Sequence, residues 1–255
     1  ARMKASLVKT SIKESYLTNE PCMIWGPSGV GKSEVMAQLT GELDIGLIDL
    51  RASQMDQVDL RGVPYVHKES KRTFWARPWF LPQEGKGILF IDEINTAPPS
   101  MQAAFYQLMQ DRRIGEHVLG EGWVPMAAGN REEDKGVINR MPAPLANRLT
   151  HIDFEVDLEE WVTWAIRNKL ALEVISFIRF RPVLLHNFDA KVNTKAFPSP
   201  RTWVKVAKAV ASPRIDEDTK HGLIKVRVGQ AAATEFNACL KMYKTIPNID
   251  LIIMN

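Results

Sequence analysis

The sequence predicts an α/β domain, a mainly parallel sheet with helices on both faces, followed by a smaller domain of helices alone. Three observations predict it. Up to residue 155, strand-sized apolar runs alternate with stretches of helical period, the pattern of parallel strands joined by helices. The runs at 21–25 and 87–91 are almost wholly apolar, as strands covered on both faces must be. From Asp157 onward only helical spacing recurs.

Each element has its own signal. Pro21-Cys22-Met23-Ile24-Trp25 reads as a strand that stops at Gly26, and Val35, Met36 and Leu39 then keep helical spacing until Gly41. Gly46 to Leu50 is a second strand, and Gly87 to Ile91 a third. Between them, residues 52–86 mix prolines, glycines and aromatics and read as a loop plus a hairpin. Pro98-Pro99 opens a helix, since proline fits a first turn, and Met101, Ala104, Phe105, Leu108 and Met109 share its apolar face. Trp123 to Ala128 is a fourth strand, closed by Gly129-Asn130. A boundary near 155 divides the chain into domains 1–155 and 156–255. In the second, Asp157 and Glu160 resemble a capping box ahead of Trp161, Trp164 and Ala165, and further helical patterns fall at 171–180, 202–211 and 230–243. The closing run Leu251 to Met254 has no stop signal, which leaves open whether the second domain is complete there.

Composition narrows the classes. Of 255 residues, 45% are hydrophobic and 25% charged, which excludes disordered and fibrous chains. No run approaches the roughly 18 apolar residues of a membrane span, so no membrane insertion is expected. Two cysteines, Cys22 and Cys239, make no disulfide framework. The first residues lack the apolar core of a signal peptide, and a cytoplasmic protein is expected. Residues 1–155 hold 18 basic and 20 acidic side chains and the remainder 15 and 10. That permits contact with nucleic acid but is no dense basic stripe.

Gly26-Pro27-Ser28-Gly29-Val30-Gly31-Lys32-Ser33 fits the pattern G-x-x-x-x-G-K-[ST], with Glu34 following. Glycines let backbone N–H groups curl around phosphate oxygens, and the next helix points its positive end at them. Lys32 would reach the β- and γ-phosphates and Ser33 would offer a hydroxyl to Mg²⁺. Chance alone gives the four fixed positions in roughly one chain in a hundred of this length, and the strand before and helix after lower that further. Ile88-Leu89-Phe90-Ile91-Asp92-Glu93 is a strand ending in two carboxylates. On a central strand adjacent to the phosphate loop, Asp92 would serve Mg²⁺. Glu93, pointing differently, would orient the attacking water. Asn130 closes the fourth strand, where an amide could meet the γ-phosphate, although turns favour asparagine for reasons of their own. Arg140 and Arg148 flank a proline-rich segment, and Arg201 sits at a helix start, against the helix dipole. Any of the three could stabilise charge in phosphoryl transfer; surface solvation is the ordinary alternative.

This ordered set resembles the AAA+ ATPases: phosphate loop, strand ending Asp-Glu, asparagine after the next strand, arginine, then a helical domain with Pro-Arg at a helix start. Asp59-Leu60-Arg61-Gly62, Asp92-Glu93-Ile94-Asn95, Ala128-Gly129-Asn130 and Asn147-Arg148-Leu149 resemble its MoxR-like or dynein-related branch. Ser199-Pro200-Arg201-Thr202-Trp203, with Gly229 to Phe236, is similar to phage and prophage members. The resemblance implies a phosphate-loop NTPase sheet between helices and a helical lid. It implies Walker A at Gly26 to Ser33, with Glu34 beside the nucleotide, and Walker B at Asp92-Glu93. Asn130 would be sensor 1 and Arg201 sensor 2. Arg148 would be the arginine finger toward a neighbouring subunit, with Arg140 able to share or take that role. ATP and Mg²⁺ are the implied cofactors, and a hexameric homo-oligomer, at times with a von Willebrand A-domain partner, the implied assembly. A bacterial or phage-infected cytoplasm is the implied setting.

Three functions stand beside one another. An ATP-hydrolysing ring motor that remodels or assembles protein complexes uses the whole set. A nucleic-acid motor or helicase loader would use Lys68, Lys71, Arg72 and Arg77, interleaved with Phe74, Trp75 and Trp79. A non-hydrolysing nucleotide-dependent scaffold would need binding alone, and the presence of Glu93 weighs against it.

Overall fold

The structure, a computed structural model, describes residues 2–131, 141, 146–188 and 196–245. Arg140 and the run 251–254 lie outside the described residues, so the expectations placed on them stay with the sequence.

Contacts divide the chain into two units, Ala1–Ser28 with Lys32–Glu155, and Gly29–Gly31 with Val156–Asn255. The first is built on a six-stranded, wholly parallel sheet. Its strands are β1 (Arg2–Met3), β2 (Cys22–Trp25), β3 (Gly46–Arg51), β6 (Gly87–Asp92), β9 (Trp123–Gly129) and β10 (Thr150–Phe154). They lie in the order β1-β10-β2-β9-β6-β3. Every residue of β6 and β9 is buried, whereas edge strand β3 is only partly covered. This is why the central strands read as unbroken apolar runs. Register runs Gly87 opposite Trp123 through Ile91 opposite Ala127, and Met23 opposite Ala127 through Trp25 opposite Gly129. The C-terminal ends of β2, β9 and β6 therefore line up.

The helices α1 (Ala5–Leu17), α2 (Lys32–Leu43), α3 (Gln57–Arg61) and α4 (Pro99–Asp111) belong to this unit. Around the sheet, Phe105, Leu108, Phe80, Leu50 and Leu60 complete a core with Leu89 and Ile91. Two antiparallel ribbons interrupt the βα alternation: β4 (Pro64–Val66) with β5 (Thr73–Trp75), and β7 (Arg113–Ile114) with β8 (His117–Val118).

The second unit is helical: α5 (Leu158–Arg167), α6 (Leu172–Phe180), α7 (Pro200–Val210), α8 (Glu217–Val228) and α9 (Gln230–Thr245). Its core centres on Trp203, Phe177 and Phe236, whose rings lie 5.0–5.5 Å apart. The Trp203 indole N–H donates to the Leu184 carbonyl at 2.6 Å, so the ring is buried without an orphaned donor. Among the described residues no helix is long and apolar enough to cross a membrane.

The expected strands and the helix from Pro98–Pro99 are found, and so is the hairpin within 52–86. The short helix α3 beside that hairpin was not expected; a capping box of Asp56 and Asp59 starts it. Asp157 caps α5 one way only, accepting the Glu160 N–H at 2.8 Å. Two further helices escape the sequence pattern. α1 buries only Val8, Ile12 and Ser15, and α8 only Ile224 and Val228, too thin an apolar stripe to register.

Candidate active site

The phosphate-loop residues follow β2 and lead into α2. Gly29 and Gly31 take φ of +80° and +110°, a region other side chains resist, so the loop's curl depends on glycine. Lys32 is the first residue of α2 and is 7% exposed. Its ammonium donates to the carbonyls of Gly26 (2.6 Å) and Pro27 (3.1 Å) and to Asn130 Oδ1 (3.2 Å). A buried cation is costly unless oxygens surround it, and these three hold it over the loop.

The sequence placed the Asp92 strand adjacent to the phosphate loop. The sheet corrects this: β9 lies between β2 and β6. Asp92 still reaches the loop's helix, because Ser33 Oγ donates to Asp92 Oδ2 at 2.8 Å. Asp92 Oδ1 accepts the Glu93 N–H at 2.9 Å, which fixes the carboxylate's rotation. Ser33 and Asp92 thus offer two hard oxygens side by side. That suits Mg²⁺, which takes few protein ligands and completes its shell with phosphate oxygens and water.

Glu93 has φ +57°, a left-handed backbone that costs a residue with a Cβ about 1–2 kcal/mol. The turn is held where the Thr96 hydroxyl and N–H both donate to the Glu93 carbonyl, at 2.8 and 3.0 Å. The Glu93 carboxylate meets Ser53, whose hydroxyl donates to Oε2 at 2.6 Å, whereas that of Asp92 meets Ser33. Adjacent residues on a strand end thereby have different partners.

Asn130 follows β9. Its backbone is gripped by Asn95, 2% exposed, whose amide N–H donates to the Asn130 carbonyl at 2.7 Å. Asn95 Oδ1 accepts the Asn130 N–H at 3.2 Å. Gly129 makes this fit possible, because a Cβ there would stand 2.7 Å from Asn95 Oδ1. Asp49 on β3 is held above its ordinary carboxylate range, chiefly by burial, then by the charge of Asp92, with Arg51 acting the other way.

Lys32, Ser33, Asp92 and Asn130 are therefore brought together at the C-terminal ends of three neighbouring strands, where open parallel sheets bind ligands. Glu93 stands beside them on Ser53. The other candidates among the described residues are exposed. Glu34 is exposed on α2 and accepts from Gln38 at 3.4 Å. Arg148 is exposed in the turn before β10, and Arg201 is exposed in the first turn of α7 in the second unit. Two residues that shape the site went unassigned from sequence. Ser53 precedes Glu93 by 40 residues, with no local mark of their contact. Asn95 carried a signal, a lone amide in a segment otherwise destined for burial.

Residues 21–123 match the family model described as AAA domain (dynein-related subfamily). No curated protein matches the chain. Among solved structures, a single-residue mutant of RuvB from Thermotoga maritima is 14% identical, with TM-score 0.51, covering 95% of this chain and 77% of its own. RuvB described as the Holliday junction branch migration motor of the same organism is 15% identical, with TM-score 0.50 and coverages of 87% and 68%. NtrX from Brucella abortus in complex with ADP aligns more loosely, at 14% identity, TM-score 0.42 and coverages of 86% and 48%. Beyond a phosphate loop on a parallel sheet with a helical region after it, the family match and the two RuvB likenesses give the architecture its name: the chain has the phosphate-loop AAA+ fold.

Proposed function

We propose that this chain is an ATP-hydrolysing AAA+ ring motor that remodels or assembles protein complexes, with its active site completed by a neighbouring subunit. The observation that carries the reading is the 2.8 Å hydrogen bond between Ser33 and Asp92. It joins the end of the phosphate loop to a strand two positions away in the sheet, beside a buried Lys32 that shares Asn130.

In this reading residues 1–155 bind the nucleotide and 156–255 form a lid. The loop Gly26 to Ser33 cradles the phosphates, and Lys32 sets its charge against the β- and γ-phosphates. Ser33 and Asp92 would hold Mg²⁺, which when bound neutralises charge on the phosphate oxygens. Glu93 accepts the proton of a water that attacks the γ-phosphorus in line. The bond from that phosphorus to the bridging oxygen breaks, leaving ADP and inorganic phosphate. Asn130 hydrogen-bonds the γ-phosphate. Arg148, or Arg140, stabilises the transition-state charge on the adjacent subunit's nucleotide, and Arg201 carries nucleotide state to the lid. The exposed position of Arg148 supports a role toward a neighbour. A hexameric ring in the cytoplasm, with a von Willebrand A-domain or other protein partner, completes the reading.

The test is Mg·ATP hydrolysis per subunit against protein concentration, with Glu93→Gln as blank. A specific rate that climbs with concentration is expected, because a trans arginine is worth roughly 10³–10⁵ in rate. Arg148→Ala and Arg140→Ala that both match wild type in the assembled ring would refute completion by these arginines. A second reading, a nucleic-acid motor, is favoured by one observation, the exposed ribbon β4–β5.

A further inference from the structure

The ribbon β4–β5 pairs Tyr65 with Phe74 and Val66 with Thr73. Side chains alternate along a strand, so Tyr65, His67, Arg72 and Phe74 share one face. On that face the Tyr65 and Phe74 rings lie 6.1 Å apart and within 29° of parallel, and His67 meets Phe74 edge-on at 5.8 Å. The rings are partly open to solvent: Tyr65 is 52% and Phe74 36% exposed, and neither belongs to the core cluster of its unit. At the turn, exposed Lys68, Lys71 and Arg72 outnumber Glu69.

An apolar surface left in water marks an interaction site more often than a packing accident. What kind of partner it takes follows from the pairing of features. Two flat, nearly parallel, accessible rings offer platforms to other flat rings, and the cations lie at one end of the same ribbon. An extended polypeptide could pair with a ribbon edge through its main chain, without requiring stacked rings or a cationic tip. A single-stranded nucleic acid uses both, bases on the rings and phosphates on the cations.

We propose that the β4–β5 hairpin binds single-stranded nucleic acid, with bases stacking on Tyr65 and Phe74 and phosphates meeting Lys68, Lys71 and Arg72. This binding does not depend on ATP hydrolysis. It supplies the remodelling motor with a strand to dock on, and it stands or falls separately from the ATPase reading.

The test uses the full chain without nucleotide and a fluorescein-labelled oligothymidylate about 20 nucleotides long, enough to span the site size of a single-strand binder, followed by anisotropy. With three phosphate contacts, affinity should fall about 20-fold between roughly 50 and 200 mM salt. Tyr65→Ala and Phe74→Ala should each weaken binding at least about fivefold, while Tyr65→Phe, which keeps the ring, binds as wild type. Lys71→Glu should flatten the salt dependence. Thermal melting by circular dichroism identifies any variant whose loss reflects unfolding. A strand of the same length made of abasic sites should bind at least about fivefold more weakly than oligothymidylate. Glu93→Gln should bind the strand as wild type does. Equal binding of abasic and normal strands would overturn the stacking role. Absence of strand binding at low salt would overturn the proposal altogether, as would capture of fluorescein-labelled unfolded casein through Tyr65 and Phe74 in its place.

Discussion

Replacing Asn95 by alanine tests how the site is held together. Asn95 is 2% exposed and makes two hydrogen bonds to the backbone of Asn130, at 2.7 and 3.2 Å. Each such bond contributes about 0.5–1.5 kcal/mol net, so the pair accounts for about 1–3 kcal/mol. A chain of this size loses about 2–4 °C of melting temperature per kcal/mol, so a fall of about 2–12 °C is expected. The functional consequence should run through Asn130. Its Oδ1 lies 3.2 Å from the Lys32 ammonium, and a backbone released from Asn95 no longer fixes that oxygen. The kcat for ATP should drop about tenfold, the equivalent of about 1.4 kcal/mol of transition-state stabilisation, with KM little changed because the phosphate loop is intact. Gln102→Ala is the control. Gln102 is also a buried amide, bonded to the Ala97 carbonyl at 2.7 Å, but it does not touch Asn130. Thermal melting and steady-state ATPase kinetics on both variants decide the matter. If Asn95→Ala loses no more kcat than Gln102→Ala at comparable stability, Asn95 is a packing residue and the reasoning fails.

Three further predictions address backbone strain, the helical core and pH. Glu93→Gly and Glu93→Ala both remove the carboxylate and should both abolish hydrolysis, but at φ +57° the glycine variant should be about 1 kcal/mol more stable. Urea unfolding measures this, and an alanine variant of equal stability would deny the strain. Trp203→Ala should cost about 3–5 kcal/mol and Trp203→Phe about 1–3 kcal/mol, the latter from a small void and the Leu184 carbonyl losing its indole donor; equal losses would mean that ring packing contributes little and that the loss lies in the indole hydrogen bond. Asp216 caps α8, and the N–H and hydroxyl of Thr219 hold its carboxyl below the ordinary carboxylate range. A depressed folded-state pKa gives stability that is present above the unfolded value, about 3.9, and is lost as pH falls through the folded value. Asp216→Ala should therefore melt below wild type at neutral pH, with the gap closing as pH drops under about 4; a constant gap would show the cap acts without its charge.

Much of the sheet and of the phosphate loop was legible because their signals are local. A strand buried on both faces must be apolar along its whole length, so β6 and β9 stand out. A phosphate loop needs glycine at its left-handed positions and lysine and serine at fixed offsets, so Gly26 to Ser33 stands out too. The sequence also set the order of the remaining candidates, Asp92-Glu93 before Asn130. It did not determine that β9 would insert between β2 and β6, because strand order depends on which connections cross the sheet, and no residue pattern within a strand records that. Nor did it determine the partners of the site. Ser53 reaches Glu93 across 40 positions and Asn95 reaches Asn130 across 35, through neighbouring strand ends that exist only once the sheet has formed. The stacked face of β4–β5 lies between these cases. Phe74, Lys68, Lys71 and Arg72 were visible as part of a cluster, but Tyr65 was not among its aromatics, and which residues share a face follows from register alone. Tyr65 meets Phe74 while Trp75, one residue on, turns to the opposite side. Local chemistry is written residue by residue; the pairing of distant groups is decided by the packing that minimises buried, unsatisfied polarity.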